Sequence, residues 1–228
     1  ANLWNTQLPN GTGQHWGQGT VTEYADPFDT MGNSCSNIAC HYNMYFRAGF
    51  GWTNGTEVQS VSSSGTYRLI TVDAPVTTGL HALRISRNDG DADYWLEFRA
   101  TQSAATTLLS NGVLLTRNPI TWGDARGVMM TDANPQTKAY ADAPIVIGRT
   151  FSDTTAGIHI TPLEKVMVGT AQAVDVVVNF GTPATNHAPT ISLTASTTTP
   201  GISTPVTYTA TASDVDGDTL TYYWELSP

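Results

Sequence analysis

Apolar and polar residues alternate along most of the chain after Trp52, which is the pattern of strands that bury one face. Residues 173–180 (AVDVVVNF) show the alternation, and residues 94–99 (YWLEFR) show it again. Clusters of Gly, Pro, Asn, Asp and Ser separate such runs. The pattern predicts strands over residues 56–62, 66–72, 80–86, 93–101, 112–117, 126–131, 145–151, 157–161, 164–169, 173–180, 190–195, 205–212 and 220–226. Many short strands with no helical period between them favour an antiparallel β-sandwich.

Only one stretch has a helical period. Between residues 37 and 50 the apolar side chains fall at spacings of three and four, which predicts an amphipathic helix. Ser36 or Asn37 would cap its start, and Gly49 or Gly51 would end it. Residues 1–22 contain Gly and Pro without any period and are predicted to form an extended loop.

These elements predict a mainly β chain in three parts. Residues 1–52 form a small turn-rich subdomain with one helix, and residues 53–181 form an accessory antiparallel β-sandwich. Residues 182–189 contain two prolines and no large apolar side chain, and are read as a linker. Residues 190–228 form the beginning of a further β module.

Composition narrows the range of partners. The chain has 228 residues, with 10 Lys and Arg against 19 Asp and Glu, for a formal net charge of −9. An acidic chain has no electrostatic reason to bind nucleic acid. No apolar run approaches the ~20 residues that span a bilayer, so we expect no membrane span. Abundant Thr, Ser, Asn and Gly are typical of secreted β proteins, and secretion is the expected localisation.

The two cysteines support that expectation. Cys35 and Cys40 have no His or Cys neighbours placed to complete a zinc site, so a local disulfide is the preferred interpretation. A disulfide implies an oxidising compartment.

Residues 23–33 (EYADPFDTMGN) combine acidic side chains with Pro and Gly, and we predict a series of tight turns. Glu23, Asp26 and Asp29 admit three interpretations: capping of the turn backbone, an acid/base pair in an active-site wall, or ligands of a hard cation. Phe28 and Met31 are expected to be buried anchors.

This stretch resembles a known family. Residues 26–33 (DPFDTMGN), with Tyr24 before them and residues 41–52 (HYNMYFRAGFGW) after them, resemble the Met-turn region of gametolysin-like metallopeptidases of the metzincin clan. The resemblance implies that Met31, with Gly32 next to it, forms an apolar floor beneath the zinc-binding histidines. It also implies an active-site wall formed by Glu23, Tyr24, Asp26 and Asp29.

The zinc motif of that family, H-E-x-x-H-x-x-G-x-x-H, is absent from this chain. The five histidines are 15, 41, 81, 159 and 187, and no two have the i, i+4 spacing. His81 and His159 are expected in strands at polar positions. The opening residues 1–4 (ANLW) resemble the segment directly after the third histidine of the motif. Zinc, its ligands and the general base are therefore expected upstream of Ala1, and this chain alone is expected to be inactive.

The resemblance continues into the central region. Residues 66–69, 82–85, 94–99, 146–153 and 156–162 are similar to the β domain that comes after the catalytic domain in bacterial members. It therefore covers about residues 1–180. The implied activity is proteolysis by metal-activated water, with a protein or peptide as substrate. The missing N-terminal catalytic part would be a partner of this chain.

Residues 190–228 resemble the start of a polycystic-kidney-disease-type or cadherin-like Ig-fold module. Asp214, Asp216 and Asp218 alternate in its DVDGD segment, which is read either as a strand-connecting turn or as a calcium site. An incomplete module would leave an unpaired edge, and we expect it to be poorly ordered or paired with a neighbour.

A different class of function is also open. The chain would then be a non-catalytic secreted binding or adhesion protein for carbohydrate or a cell surface. Trp95 and Trp122 are read either as sugar-binding side chains or as packing residues. An H-E-x-x-H motif just before Ala1 would favour the peptidase.

Overall fold

The structure is a computed structural model that describes residues 23–32, 40–73, 78–87, 92–101, 109–118, 128–134, 142–181, 189–215, 220, 222 and 224, and the backbone alone of residues 2–5, 20–22 and 119. The chain divides into two compact units, Ala1–Thr182 and Pro183–Pro228. The mainly β fold with one helix, predicted above, is confirmed.

The elements are short and lie close together along the chain. The strands are β1 (Asn2–Asn5), β2 (Thr20–Thr22), β3 (Val58–Val61), β4 (Gly65–Ile70), β5 (Ala82–Ser86), β6 (Ala92–Glu97), β7 (Gly112–Pro119), β8 (Met129–Thr131), β9 (Ile145–Val146), β10 (Phe151–Asp153), β11 (Ile158–Val168), β12 (Ala171–Phe180), β13 (Thr190–Ala195) and β14 (Tyr208–Ser213). Helix α1 covers Met44–Gly49, and a 3-10 turn covers Leu109–Asn111.

The described strands of the first unit form two sheets. The larger has the order β2-β1-β8-β7-β6-β5-β3, with β9 also paired to β7. The smaller has the order β10-β11-β12-β4. The sheets meet through side chains such as Tyr94 on β6 and Phe151 on β10, whose ring centroids are 5.4 Å apart in an edge-to-face arrangement.

Not every pairing is antiparallel, which corrects the sequence expectation. β3 and β5 form a parallel pair, and β1 and β8 form another. Between β3 and β5 the chain crosses to the smaller sheet as β4 and returns, so β5 runs in the same direction as β3. A crossover of this kind is what a parallel pair requires.

The expectation of a strandless loop over residues 1–22 is wrong at both ends. β1 and β2 pair with each other in the register Leu3↔Thr22 and Asn5↔Thr20. Each is only three or four residues long, and β1 depends on the distant strand β8 for its second partner. The sequence around residues 2–5 does not indicate that β8 will pair with them.

Three predicted strands have other boundaries in the structure. Residues 157–161 and 164–169, predicted as separate strands, belong to the single strand β11, whose register shifts between Pro162 and Glu164. Proline has no N–H for the ladder, and such positions favour bulges. The strand predicted over residues 145–151 is interrupted by a turn in which Gly148 has a φ of +80°.

Helix α1 is shorter than predicted. It begins at Met44, and its N-cap is Asn43, whose Oδ1 accepts a hydrogen bond from the Phe46 N–H at 3.1 Å. Before it, the His41 backbone forms a bridge with Asp29 and is not helical. The predicted caps at residues 36 and 37 lie outside the described residues. Gly51, with a φ of +72°, lies just beyond the C-terminus as predicted.

Strand β6 is buried on both faces, which corrects the half-buried pattern expected for residues 94–99. Tyr94 and Leu96 face one side of the sheet, and Trp95 faces the other. The ring of Tyr45 in α1 packs edge-to-face on the ring of Trp95, and the two ring centroids are 5.6 Å apart. Trp95 is therefore a packing residue and no sugar-binding surface, whereas Trp122 lies outside the described residues.

The predicted division at residue 52 has no counterpart in the first compact unit. Residues 1–52 and 53–181 lie together in it. β1 belongs to the same sheet as β5–β8, and α1 packs on β6. The boundary between the units, between Thr182 and Pro183, falls within the predicted linker, of which residues 182–188 lie outside the described part.

The second unit contains the antiparallel hairpin β13–β14. Its register pairs apolar residues with apolar ones and hydroxyl residues with hydroxyl ones, so one face carries Ile191, Leu193, Ala195, Tyr208, Ala210 and Ala212. Ile191 is 70% exposed and Leu193 is 59% exposed. Of the predicted strand over residues 220–226, the three described residues lie in no strand.

Within the described residues, no helix has the length and apolarity needed to cross a membrane.

Gly112 supports a test of the pairing between β7 and β9. A Cβ placed there would overlap the Ile145 carbonyl oxygen, whereas a Cβ on Gly55 would meet open space. We expect Gly112→Ala to lower the free energy of unfolding by about 1–3 kcal/mol, because the backbone must move apart. Urea denaturation of both alanine variants checks this. Equal stability for Gly112→Ala and Gly55→Ala would show that the close approach is not a constraint.

Candidate active-site wall

Residues 23–32, here called the acidic turn, come directly after β2. Glu23 and Tyr24 face solvent, whereas Asp26 and Asp29 are buried at 3% and 1% exposure. Phe28 is buried as predicted. Met31 is 45% exposed, so the prediction that it is a second buried anchor is wrong. Tyr24 has a φ of +56°, an unusual value for a residue with a side chain.

The two buried aspartates bind the backbone of the acidic turn. Oδ1 of Asp26 accepts a hydrogen bond from the Phe28 N–H at 2.9 Å, and Oδ1 of Asp29 accepts one from the Met31 N–H at 2.7 Å. These are the capping bonds of the first interpretation. The Gly32 N–H also donates to the Asp29 carbonyl oxygen at 2.8 Å. The stretch therefore consists of consecutive tight turns.

Gly32 is required by close packing. A Cβ at this position would overlap the carbonyl oxygen of Asp26. Its φ is not positive, so the constraint is the space beside Asp26 rather than backbone conformation.

Asp29 also connects the acidic turn to the helix. Its Oδ2 accepts a hydrogen bond from the Asn43 N–H at 2.6 Å. Asn43 is the N-cap of α1, so one carboxylate binds the turn with one oxygen and the start of the helix with the other. Cys40, which is disulfide-bonded, places its Sγ 3.7 Å from the Pro27 carbonyl oxygen. The predicted partner, Cys35, lies outside the described residues.

Arg99 lies beneath the acidic turn and is 1% exposed. Its guanidinium donates to Oε1 of Glu97 from Nε, at 2.6 Å, and to the Phe28 carbonyl oxygen from Nη1. Oε2 of Glu97 accepts a hydrogen bond from the Met44 N–H at 2.6 Å. The end of β6 is thus bonded to both the acidic turn and the first residue of α1.

The charges in this cluster do not balance when every carboxylate is ionised. One guanidinium faces Glu97, Asp26 and Asp29. Burial, and next the charge of Asp29, raises the pKa of Asp26 to about 7, although the Phe28 N–H and Arg99 act in the opposite direction. Burial also raises the pKa of Asp29. Asp26 therefore binds a proton over a pH range that extends to about neutral.

The histidines were given no metal role by the sequence, and two of the three described ones, His81 and His159, lie outside this cluster. His81 and His159 are buried at 4% and 7% exposure, contrary to the expectation of polar positions. His159 binds Ser152 and the Gly181 carbonyl oxygen through its two ring nitrogens. Burial, with Arg99 next, lowers the pKa of His41, which begins the segment after the disulfide. Residues 15 and 187 lie outside the described part of the chain.

In the part of the chain that the structure describes, no group of three or more His, Cys, Asp or Glu side chains is placed to hold a metal ion. The hard-cation interpretation of Glu23, Asp26 and Asp29 is therefore not supported. Asp214 is described and half-buried, whereas residues 216 and 218 are not described. The calcium expectation at 214–218 stays a prediction.

Sequence reasoning missed Glu97, Arg99 and Asn43. The available signal was the pair of opposite charges at residues 97 and 99, two apart and so on one face of a strand rich in aromatic residues. Charged side chains in such a strand are rarely fully buried unless they are paired. The sequence gives no indication that Arg99 contacts Phe28.

Comparison with protein families, with characterised proteins and with solved structures finds no match to this chain.

Replacement of the buried guanidinium tests the cluster. Arg99→Met would leave buried carboxylates without their cation, and we expect a loss of about 3–5 kcal/mol in the free energy of unfolding. The matched control is Arg68→Met, which removes an exposed ion pair with Asp175 and should change little. Urea denaturation of both variants measures the difference. Equal losses would contradict the role given to Arg99.

The proton on Asp26 predicts a pH dependence of stability. The folded-state pKa, about 7, exceeds the ordinary value of 3.8, so the native protein binds more protons between these pH values. The free energy of unfolding should therefore fall as pH rises from about 4 to about 7, by at most about 4 kcal/mol.

Asp26→Asn should remove most of this slope, because an amide keeps the oxygen that accepts from Phe28 and does not titrate in this range. Asp175→Asn, in the surface pair with Arg68, should retain the slope. Denaturation at a series of pH values distinguishes the two. An unchanged slope in Asp26→Asn would assign the effect to other groups.

Proposed function

We propose that this chain is the C-terminal part of a secreted zinc metalloendopeptidase of the gametolysin-like kind. It would supply the Met-turn subdomain, an accessory β domain and the start of an Ig-like module. The proposal rests on the resemblance over residues 1–180 and on one structural observation. The acidic turn, which carries the Met-turn resemblance, is held from below by Arg99 and presents Met31 and Tyr24 to solvent.

The strand register supports the proposal. Because β1 and β2 are antiparallel and Leu3 pairs with Thr22, the beginning of β1 lies level with the beginning of the acidic turn. A zinc-binding segment upstream of Ala1 would therefore enter beside residues 23–32. Met31 would present to this segment an apolar side chain that is 45% exposed, in keeping with the Met-turn role.

Zinc held by the upstream histidines would polarise the scissile carbonyl and activate a water molecule. The residues of this chain would act by position. Asp29 fixes the Met31 backbone and the start of α1, while Gly32 lets the chain return past Asp26. Asp26 and Asp29 are too buried to exchange protons with a substrate, so Glu23 and Tyr24 are the wall residues that would contact a peptide.

A second candidate function has one observation in its favour. Tyr42, Phe46, Phe50 and Trp52 form a contiguous aromatic cluster, with Phe50 and Trp52 rings 4.9 Å apart. Phe50 is 44% exposed and Trp52 is 60% exposed. Exposed aromatic faces of this kind suit carbohydrate or a cell surface, which is the non-catalytic binding function.

The first experiment is intact mass and zinc analysis of the protein from its native source. The peptidase proposal expects a mass well above 24.4 kDa, one catalytic zinc per chain, and peptide cleavage that a chelator abolishes. A mass equal to that of the 228 residues, with no zinc, would refute it. Loss of polysaccharide binding in Trp52→Ala would then support the second candidate.

A substitution in the intact protein tests the role of Met31. Met31→Asn should lower chelator-sensitive cleavage on the order of tenfold, because a polar side chain would replace the apolar floor. Met167→Asn is a matched control, since Met167 on β11 is 60% exposed and lies outside the acidic turn. If the two variants cleave equally well, Met31 has no Met-turn role.

A further inference from the structure

A small cavity lies between helix α1, the segment before β3 and the segment before β5. Its lining residues are Met44, Arg47, Glu57, Val72 and His81, and its volume is about 20 Å³. One water molecule fits a space of this size, whereas organic ligands occupy hundreds of Å³. Whether the cavity holds water depends on the polar side chains that line it.

The His81 ring is fixed by two backbone carbonyl groups. Its Nδ1 lies 3.1 Å from the carbonyl oxygen of Ile70 and 3.1 Å from that of Thr71. A carbonyl oxygen only accepts, so Nδ1 carries the proton and donates to both. In the neutral ring, Nε2 is then a hydrogen-bond acceptor with its lone pair uncovered.

That acceptor is buried and has no hydrogen-bond partner among the residues that the structure describes. His81 as a whole is 4% exposed, so bulk water does not satisfy it. Buried polar atoms almost always have a partner in the protein or an ordered water molecule. The cavity beside His81 is where such a partner fits.

The remaining polar walls complement a water molecule. Arg47 donates from Nη1 to the Val72 carbonyl oxygen at 3.2 Å, and its guanidinium has further N–H groups. Glu57 accepts from Asn54 Nδ2 through Oε1 at 2.9 Å, and its carboxylate has further acceptor capacity. Water both donates and accepts, whereas a bare cation would be repelled by Arg47.

We propose that this cavity binds one water molecule, which donates a hydrogen bond to Nε2 of His81. The same water accepts from Arg47 and donates to Glu57. It thereby joins α1 to the two segments that lead into β3 and β5. The backbone of these segments is already connected, since the His81 N–H donates to the Glu57 carbonyl oxygen at 2.8 Å.

The test uses the 228-residue chain and water itself as the probe. Water–protein NMR should show a cross-peak between water and the His81 ring protons, with the sign of a long-lived bound molecule. A crystal structure at high resolution should show one ordered oxygen within hydrogen-bond distance of Nε2. An empty cavity, or the absence of the cross-peak, would overturn the proposal.

Two variants make the test specific. Val72→Ile adds a methyl group to the cavity wall and should abolish the water signal. Val58→Ile adds the same group to a half-buried neighbour of the same core cluster, outside the cavity lining, and should retain it. Retention of the signal in both variants would show that the water lies elsewhere.

Zinc titration provides the remaining control. If zinc at micromolar concentration shifts or broadens the His81 ring signals, the site is a metal site and the water proposal fails.

Should Val72→Ile not fold, the wild-type crystal structure and cross-peak remain decisive. Neither result depends on the proposed peptidase function.

Discussion

The buried guanidinium of Arg99 is the interaction on which the arrangement of the first unit depends. It is held by Glu97 on its own strand and bonds to the Phe28 carbonyl oxygen 71 residues away in sequence. Glu97 in turn accepts the first helical N–H, at Met44. One ion pair thus satisfies polar groups of a strand, a turn and a helix start.

The same cluster explains why the acidic turn keeps its shape while carrying Asp26 and Asp29. Each aspartate replaces a missing backbone partner inside the turn, and Asp29 extends this role to Asn43. Burying Glu97, Asp26 and Asp29 near one guanidinium leaves an excess of negative charge, which a proton on Asp26 reduces near neutral pH. The turn is therefore hydrogen-bonded on its buried side and exposed to solvent at Tyr24 and Met31.

The two units bury their apolar side chains to different extents. In the first, β6 is covered on one side by the smaller sheet and on the other by α1. In the second, the β13–β14 hairpin separates apolar from hydroxyl faces completely, yet the apolar face stays exposed. A two-stranded hairpin is marginal alone in water, and among the described residues of this unit no buried core covers its apolar face.

Local patterns in the amino-acid sequence were enough to locate the local features of this protein. Period-two alternation located most strands, spacings of three and four located the helix near Met44, and Asp, Pro and Gly located the acidic turn. Features beyond a local window emerged only in the folded chain: the strands at Asn2–Asn5 and Thr20–Thr22, the parallel pairs, and the burial of both faces of β6. The physical reason is that alternation reports which residues share a face, whereas burial depends on the elements that pack against that face. Arg99 is the clearest case, because it is buried against the Phe28 carbonyl oxygen, which lies 71 residues away in sequence and reaches it only when the chain has folded.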